Sequence, residues 1–135
     1  MSFDILQPQG WKRPSGYSNG IAAHGRSIFI AGQIGWDANN IVVGRTLATQ
    51  VRQALLNIKS ILAEAQAEPR HIVRLTWYLT SRDEYLAELR EVGAAYRDVM
   101  GAHYPVMSVV QVVALMEADA KVEIEATALV PENGA

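Results

Sequence analysis

The stretch from Tyr104 to Val130 limits what this chain can fold into more than any other. It holds two strand-like runs, Pro105–Leu115 and Lys121–Val130, joined by the short acidic turn Met116-Glu117-Ala118-Asp119-Ala120. In the first run Val106, Ser108, Val110, Val112 and Ala114 fall on one alternating face, and Met107, Val109, Gln111 and Val113 on the other. Neither face is polar, the signature of a strand covered on both sides. The second run alternates cleanly. Val122, Ile124, Ala126 and Ala128 oppose Lys121, Glu123, Glu125 and Thr127, so one face packs and the other stays polar. Any chemistry held by these strands belongs on the polar face, where Glu123 and Glu125 point the same way.

The rest of the chain supplies what covers them. Phe3, Ile5 and Leu6 make a short edge strand, followed by a loop punctuated by Pro8, Gly10, Pro14 and Gly16. Tyr17–Ala23 and Ser27–Gln33, separated by His24-Gly25-Arg26, read as a hairpin. Thr46 to Ala67 reads as an amphipathic helix, with Leu47, Val51, Leu55, Ile58, Leu62 and Ala65 three or four apart, Thr46 as N-cap and Pro69 beyond its end. Ile72 to Thr80 alternates as a strand. Ser81-Arg82-Asp83-Glu84 forms a capping box for a second helix that carries Tyr85, Leu89, Val92, Tyr96 and Val99 on one face and stops at Gly101. Two helices cover only one face of such a sheet. The double-sided apolar run therefore calls for a second layer of cover from other copies of the chain, in a closed symmetric homo-oligomer.

Composition narrows the function. A chain of 135 residues is read as one domain, 1–135, with a real core. Its net charge of −2 favours neither a nucleic-acid nor an anionic-membrane partner. It has no cysteine, which excludes disulfides, thiol nucleophiles and thiolate-bound metals. His24, His71 and His103 have no ligand spacing, so no metal is expected. Met1-Ser2-Phe3-Asp4 does not read as a signal peptide, and no apolar run reaches membrane-spanning length; the cytoplasm is the expected compartment.

Six segments, in order, carry a resemblance. They are Gly16-Tyr17-Ser18-Asn19-Gly20, Ile30–Ile34 (Ile-Ala-Gly-Gln-Ile), Gln50–Ile58, Val73–Thr80, Tyr104-Pro105-Val106-Met107-Ser108 and Val122-Glu123-Ile124-Glu125-Ala126. From about Tyr17 to Leu129 the chain resembles the Rid (YjgF) family of enamine/imine deaminases. The resemblance implies an α+β, chorismate-mutase-like fold: a mixed six-stranded sheet with two helices on one face, assembled as a homotrimer with small-molecule clefts between subunits and no cofactor. It implies that Glu123 positions or activates water and that Tyr17 lines the cleft and contacts substrate.

Where the family has a serine before Gly-Gln, this chain has Ala31; where it has an asparagine in the second helix, this chain has Gly93; and where an arginine binds the substrate carboxylate, it has Met107. A thioether does not neutralise a carboxylate, so the usual 2-iminopropionate-type substrate is not expected. Trp36 is placed where the loop after Gly-Gln meets the cleft, and His103 near its mouth. Lys12 and Arg13 read as solvated loop charges, with Arg13 the alternative source of the missing cation. Two functions stay open: a hydrolytic deaminase of reactive enamines or imines, for which Glu123 and Tyr17 speak, and a non-catalytic trimer that binds a small metabolite, for which Ala31, Met107 and Gly93 speak.

Overall fold

In the computed structural model, which describes residues 3–132, the chain runs through ten segments of regular structure. They are β1 (Asp4–Leu6), β2 (Gly20–Ala22), β3 (Arg26–Ile34), α1 (Leu47–Glu64), a 3-10 turn (Pro69–His71), β4 (Ile72–Leu79), α2 (Arg82–Ala87), α3 (Leu89–Met100), β5 (Val106–Gln111) and β6 (Val122–Val130). The class is α+β, with six strands and a mixed sheet, but the strands do not form one sheet. β3, β6, β4 and β5 line up in that order, with β4 and β5 parallel and the other neighbours antiparallel; β1 and β2 form a separate antiparallel pair.

The expected hairpin is absent, and the two C-terminal strands joined by the acidic turn are not neighbours either. β5 and β6 follow one another in sequence, yet β4 lies between them. The ladder of β5 ends early. Val112 still donates its N–H to Leu79 O (2.8 Å), then the chain leaves the sheet and crosses the end of β4, where Thr80 N–H reaches Lys121 O (3.1 Å). β2 likewise does not pair with β3. Ser18 donates its N–H to Pro105 O (3.0 Å) and its hydroxyl to Tyr104 O (2.6 Å), which draws the segment before β2 to the β5 edge, away from β3.

The helices follow their local signals more closely. Thr46 caps α1 by accepting from Thr49 N–H (3.1 Å). α1 ends before Ala67, because Gln66 adopts a left-handed conformation (φ 54°) and Ala67 N–H turns back to Leu62 O (2.9 Å), a Schellman closure. The second helix is interrupted. Glu88 leaves helical geometry (φ −109°, ψ 20°), and its carboxylate accepts from Ala48 N–H (3.1 Å), one of the free donors at the start of α1. Three helices therefore replace the expected two. Ser81 Oγ accepts from Glu84 N–H (3.1 Å), but the Glu84 carboxylate pairs with Lys121 Nζ (2.8 Å) rather than closing a capping box.

The core lies between the helices and one face of the four-stranded sheet. Val51, Leu55, Ile58 and Leu62 of α1 are fully buried, as are Leu75 of β4 and Val122, Ile124 and Ala128 of β6. Each large aliphatic side chain so placed contributes about 1.5–3 kcal/mol. β5 is covered far less than its sequence demands. Val109 and Val110 are exposed, and Val113 and Met116 beyond it are bare. On the opposite sheet edge Phe29 is 79% exposed.

One buried amide holds the crossover in place. Gln50, 1% exposed, accepts Lys121 N–H (2.8 Å) and donates to Asp119 O (3.1 Å) and Gly44 O (3.4 Å). Gln50→Leu removes the partner of the part-buried Lys121 N–H and Asp119 carbonyl, where an unpaired group costs up to about 1–3 kcal/mol. It is expected to lower unfolding free energy by about 2–4 kcal/mol in urea titration.

His71, also buried, accepts Glu68 N–H on Nδ1 (2.9 Å), and its Nε2 has no partner among the described residues. Burial, with Arg70 beside it, pushes its pKa below the usual 6.5. A histidine with a lowered folded pKa adds nothing above pH 6.5, where both states are neutral; below it the unfolded state binds more protons. Stability measured from pH 7.5 to 5.5 should therefore fall at the acid end, and His71→Asn should flatten that slope.

Candidate functional site

Alternation along the strands divides the candidate residues between the two sheet faces. On β5, Met107 and Val109 stand opposite Leu75 and Trp77 of β4, on the helix side. On β6, Glu123 and Glu125 stand opposite Tyr78 and Thr76, on the open side. Glu123 and Met107 of one chain therefore face away from each other.

On the helix side a cleft of about 740 Å³ runs between the N-terminal loop, α2, α3 and β5. Tyr17, Gly93 and Met107, far apart in sequence, all line it. The bonds from Ser18 to Tyr104 and Pro105 set Tyr17 beside the start of β5. The floor is aromatic. Trp77 stacks on Tyr96 (centroids 6.3 Å apart) and Tyr96 on Tyr104 (5.6 Å), while the Tyr96 hydroxyl donates to His103 O (2.5 Å). Burial drives the Tyr96 phenol pKa well above its usual value, so it is a fixed neutral donor. Trp77 Nε1 is a buried donor without a partner among the described residues. Leu89, read from periodicity as a core residue, is half exposed and lines this cleft.

Arg97 also lines the cleft, as its one charged side chain. It is not among the residues singled out from the sequence. The available signal was its position one turn after Gly93, on the same helix face.

On the open side, β3 carries a bulge. Ile30 pairs with Ala126 and Gln33 with Ile124, so Ala31 and Gly32 together stand opposite Glu125. Glu123 lies across Gly32, where any added Cβ would collide with its carboxylate. Glu125 is already engaged, accepting from the Tyr78 hydroxyl (2.6 Å). That bond is the main reason the Tyr78 phenol pKa is raised. Glu123 has no side-chain partner among the described residues. Ala31 lines a shallow hollow of about 320 Å³ with Phe29, Arg74 and Glu125.

The remaining candidates lie elsewhere. Trp36 is half-buried, its carbonyl held by Asn57 Nδ2 (2.9 Å). Arg13 is exposed on the N-terminal loop and outside the cleft lining. His103 is spent structurally, one ring nitrogen 2.7 Å from Ile72 O. A larger cavity, about 1190 Å³ beside Gln50 and Lys121, is lined by none of these residues. No cluster of three or more His, Asp or Glu suited to a metal occurs among the described residues. No helix there is long and apolar enough to cross a membrane.

The fold is that of a known family. The family model described as Endoribonuclease L-PSP matches residues 11–130. The chain is 36% identical over 128 residues to a RutC family protein of Pyrococcus horikoshii, covering 93% of this chain and 96% of that one. It is 30% identical over 105 residues to the human 2-iminobutanoate/2-iminopropanoate deaminase, covering 77% and 73%. Among solved structures, the Rid family protein YyfB of Yersinia pestis matches with a TM-score of 0.83 and 33% identity, over 96% of this chain and all of that one. The chain belongs to the Rid (YjgF) family.

The contact between Gly32 and Glu123 is testable by stability alone. Gly32→Ala should destabilise the protein by about 1–3 kcal/mol in thermal denaturation, the usual cost of overpacking. Glu123→Ala in the same chain should recover most of it, giving a coupling energy that only a direct collision produces.

Proposed function

We propose that this protein is a hydrolytic deaminase of reactive enamines and imines, working as a homotrimer of the chorismate-mutase-like type. The observation that carries the reading is the meeting of Tyr17, Gly93 and Met107 in one cleft, with Glu123 held ready but unpartnered on the opposite sheet face. A second copy laid against the bare β5 edge would cover Val109, Val110 and Val113 and bring its own Glu123 to that cleft. Relatives named as deaminases support the chemistry.

In this reading Glu123 takes a proton from water as the water oxygen adds to the imine carbon. The C–N bond then breaks, ammonia leaves with the returned proton, and a carbonyl product remains. Tyr17 holds the substrate. The nuclease sense of the family description fits poorly. The cleft has a single cation, and the whole chain carries −2.

Imines generated in situ from a panel of amino acids provide the assay, with carbonyl and ammonia release followed against the spontaneous rate. Acceleration by the wild-type protein and a loss of about 100-fold or more in Glu123→Gln are expected, together with a trimer mass in sedimentation equilibrium. A trimer that accelerates no imine would favour the binding-protein reading, for which the apolar Ala31, Met107 and Gly93 are the observations.

A further inference from the structure

The geometry points to Arg97 as the anion anchor of the cleft, selecting substrates that join a carboxylate to a bulky apolar or aromatic group. The substrate class named here rests on the deaminase reading above; the anchor itself does not.

Three observations carry it. The first is charge. Arg97 is the one charged side chain lining the cleft, with no carboxylate among the residues around it. The second is availability. Arg52 pairs with Asp98 (2.9 Å), Arg70 with Glu68 (3.1 Å), and Arg26 donates to Ala65 O (2.7 Å). Arg97 makes no side-chain hydrogen bond or ion pair among the described residues. The third is room. The Arg97 guanidinium lies over Gly93, with Nη1 3.2 Å from where a Cβ would stand, Cζ 3.9 Å and Nη2 4.0 Å. A Cβ at 93 would make the guanidinium give by a few tenths of an ångström, and a longer side chain there would compete with it for the same space. The absence of a side chain at 93 thus leaves room for Arg97 to lie across the helix.

The rest of the wall defines what the anion is attached to. Trp77, Tyr96 and Tyr104 form a stacked aromatic floor, and Leu89, Val92, Met107 and Val109 add aliphatic surface. A cleft of about 740 Å³ so lined is far larger than a three-carbon acid fills. A planar fork of donors suits a carboxylate, and the floor suits a ring or branched chain beyond it. For the deaminase, the fitting substrate is the 2-imino acid of an aromatic or large aliphatic amino acid. Water adds at its imine carbon, ammonia departs, and the 2-oxo acid is released, with no oxidant or reductant required.

Isothermal titration of the intact protein with 3-phenylpropanoate tests the anchor without any turnover. Saturable binding by wild type is expected, at least tenfold weaker for 3-phenylpropanamide and for propanoate. Arg97→Met should weaken 3-phenylpropanoate by tenfold or more and leave the amide unchanged. Gly93→Asn should weaken the acid in the same way, and Arg97→Lys should recover part of the binding. Arg97 is exposed, so these variants should keep the wild-type mass in sedimentation and the wild-type melting temperature. No saturable binding by wild type, equal binding of acid and amide, or equal binding by Arg97→Met would overturn the proposal. Binding with this pattern but no acceleration of imine hydrolysis would leave Arg97 as anchor and remove the deaminase reading. Imine hydrolysis insensitive to Arg97→Met would do the reverse.

Discussion

The fold depends on a buried amide more than on any charged pair. Gln50 sits on the inner face of α1, where periodicity asks for an apolar residue, and spends its side chain on backbone from two loops. That clamp ties the crossover between β5 and β6 to α1 and to the loop before it, where the end of β4 is passed. The strand order itself rests on the ladders of β4 with β5 and β6; the amide fixes the connection that this order requires. The ion pairs nearby involve partly exposed side chains, whose net contribution is small by comparison.

That topology decides where chemistry can occur. With β6 and β4 central, the β5 edge and the Glu123 face are different surfaces of one chain. The cleft holds hydroxyls, rings and a guanidinium but no carboxylate, and the carboxylate is elsewhere with no partner of its own. Each half looks incomplete alone, and the bare apolar residues along β5 lie beside one of them. On the proposed reading, separation of this kind would tie activity to assembly.

Much of this was legible beforehand, for physical reasons. α1 announced itself through its apolar stripe and the Thr46 cap, and β6 through clean alternation, because both signals are local. The apolar character of β5 on both faces was legible and called for cover on both sides, whereas Val109 and Val110 are exposed in the chain itself. Strand pairing was not legible: β5 pairs with β4, some thirty residues earlier in sequence, and no local signal distinguishes that partner from the neighbouring β6. Of the site, Tyr17, Gly93 and Met107 came from resemblance and do share a cleft. Arg97 carried only a weak signal, its place one turn after Gly93, because a helix sequence hardly separates an arginine that drapes over a glycine from one that extends into water. Arg13, the cation the sequence offered instead, lies on an exposed loop outside the cleft.

The bulge at Ala31–Gly32 has a bearing on which changes this strand can absorb. It inserts one residue into the alternation of β3, so the rule for which side chains point inward changes partway along the strand. Ile30, before it, belongs to the main core; Ile34, beyond it, is buried outside that core. Removing a single residue there would restore a regular pleat and shift everything that follows onto the wrong face, including the approach to α1. Substitutions in this strand are therefore judged one contact at a time, whereas a change of length would be judged all at once. β3 is free to drift in composition but is fixed in its count.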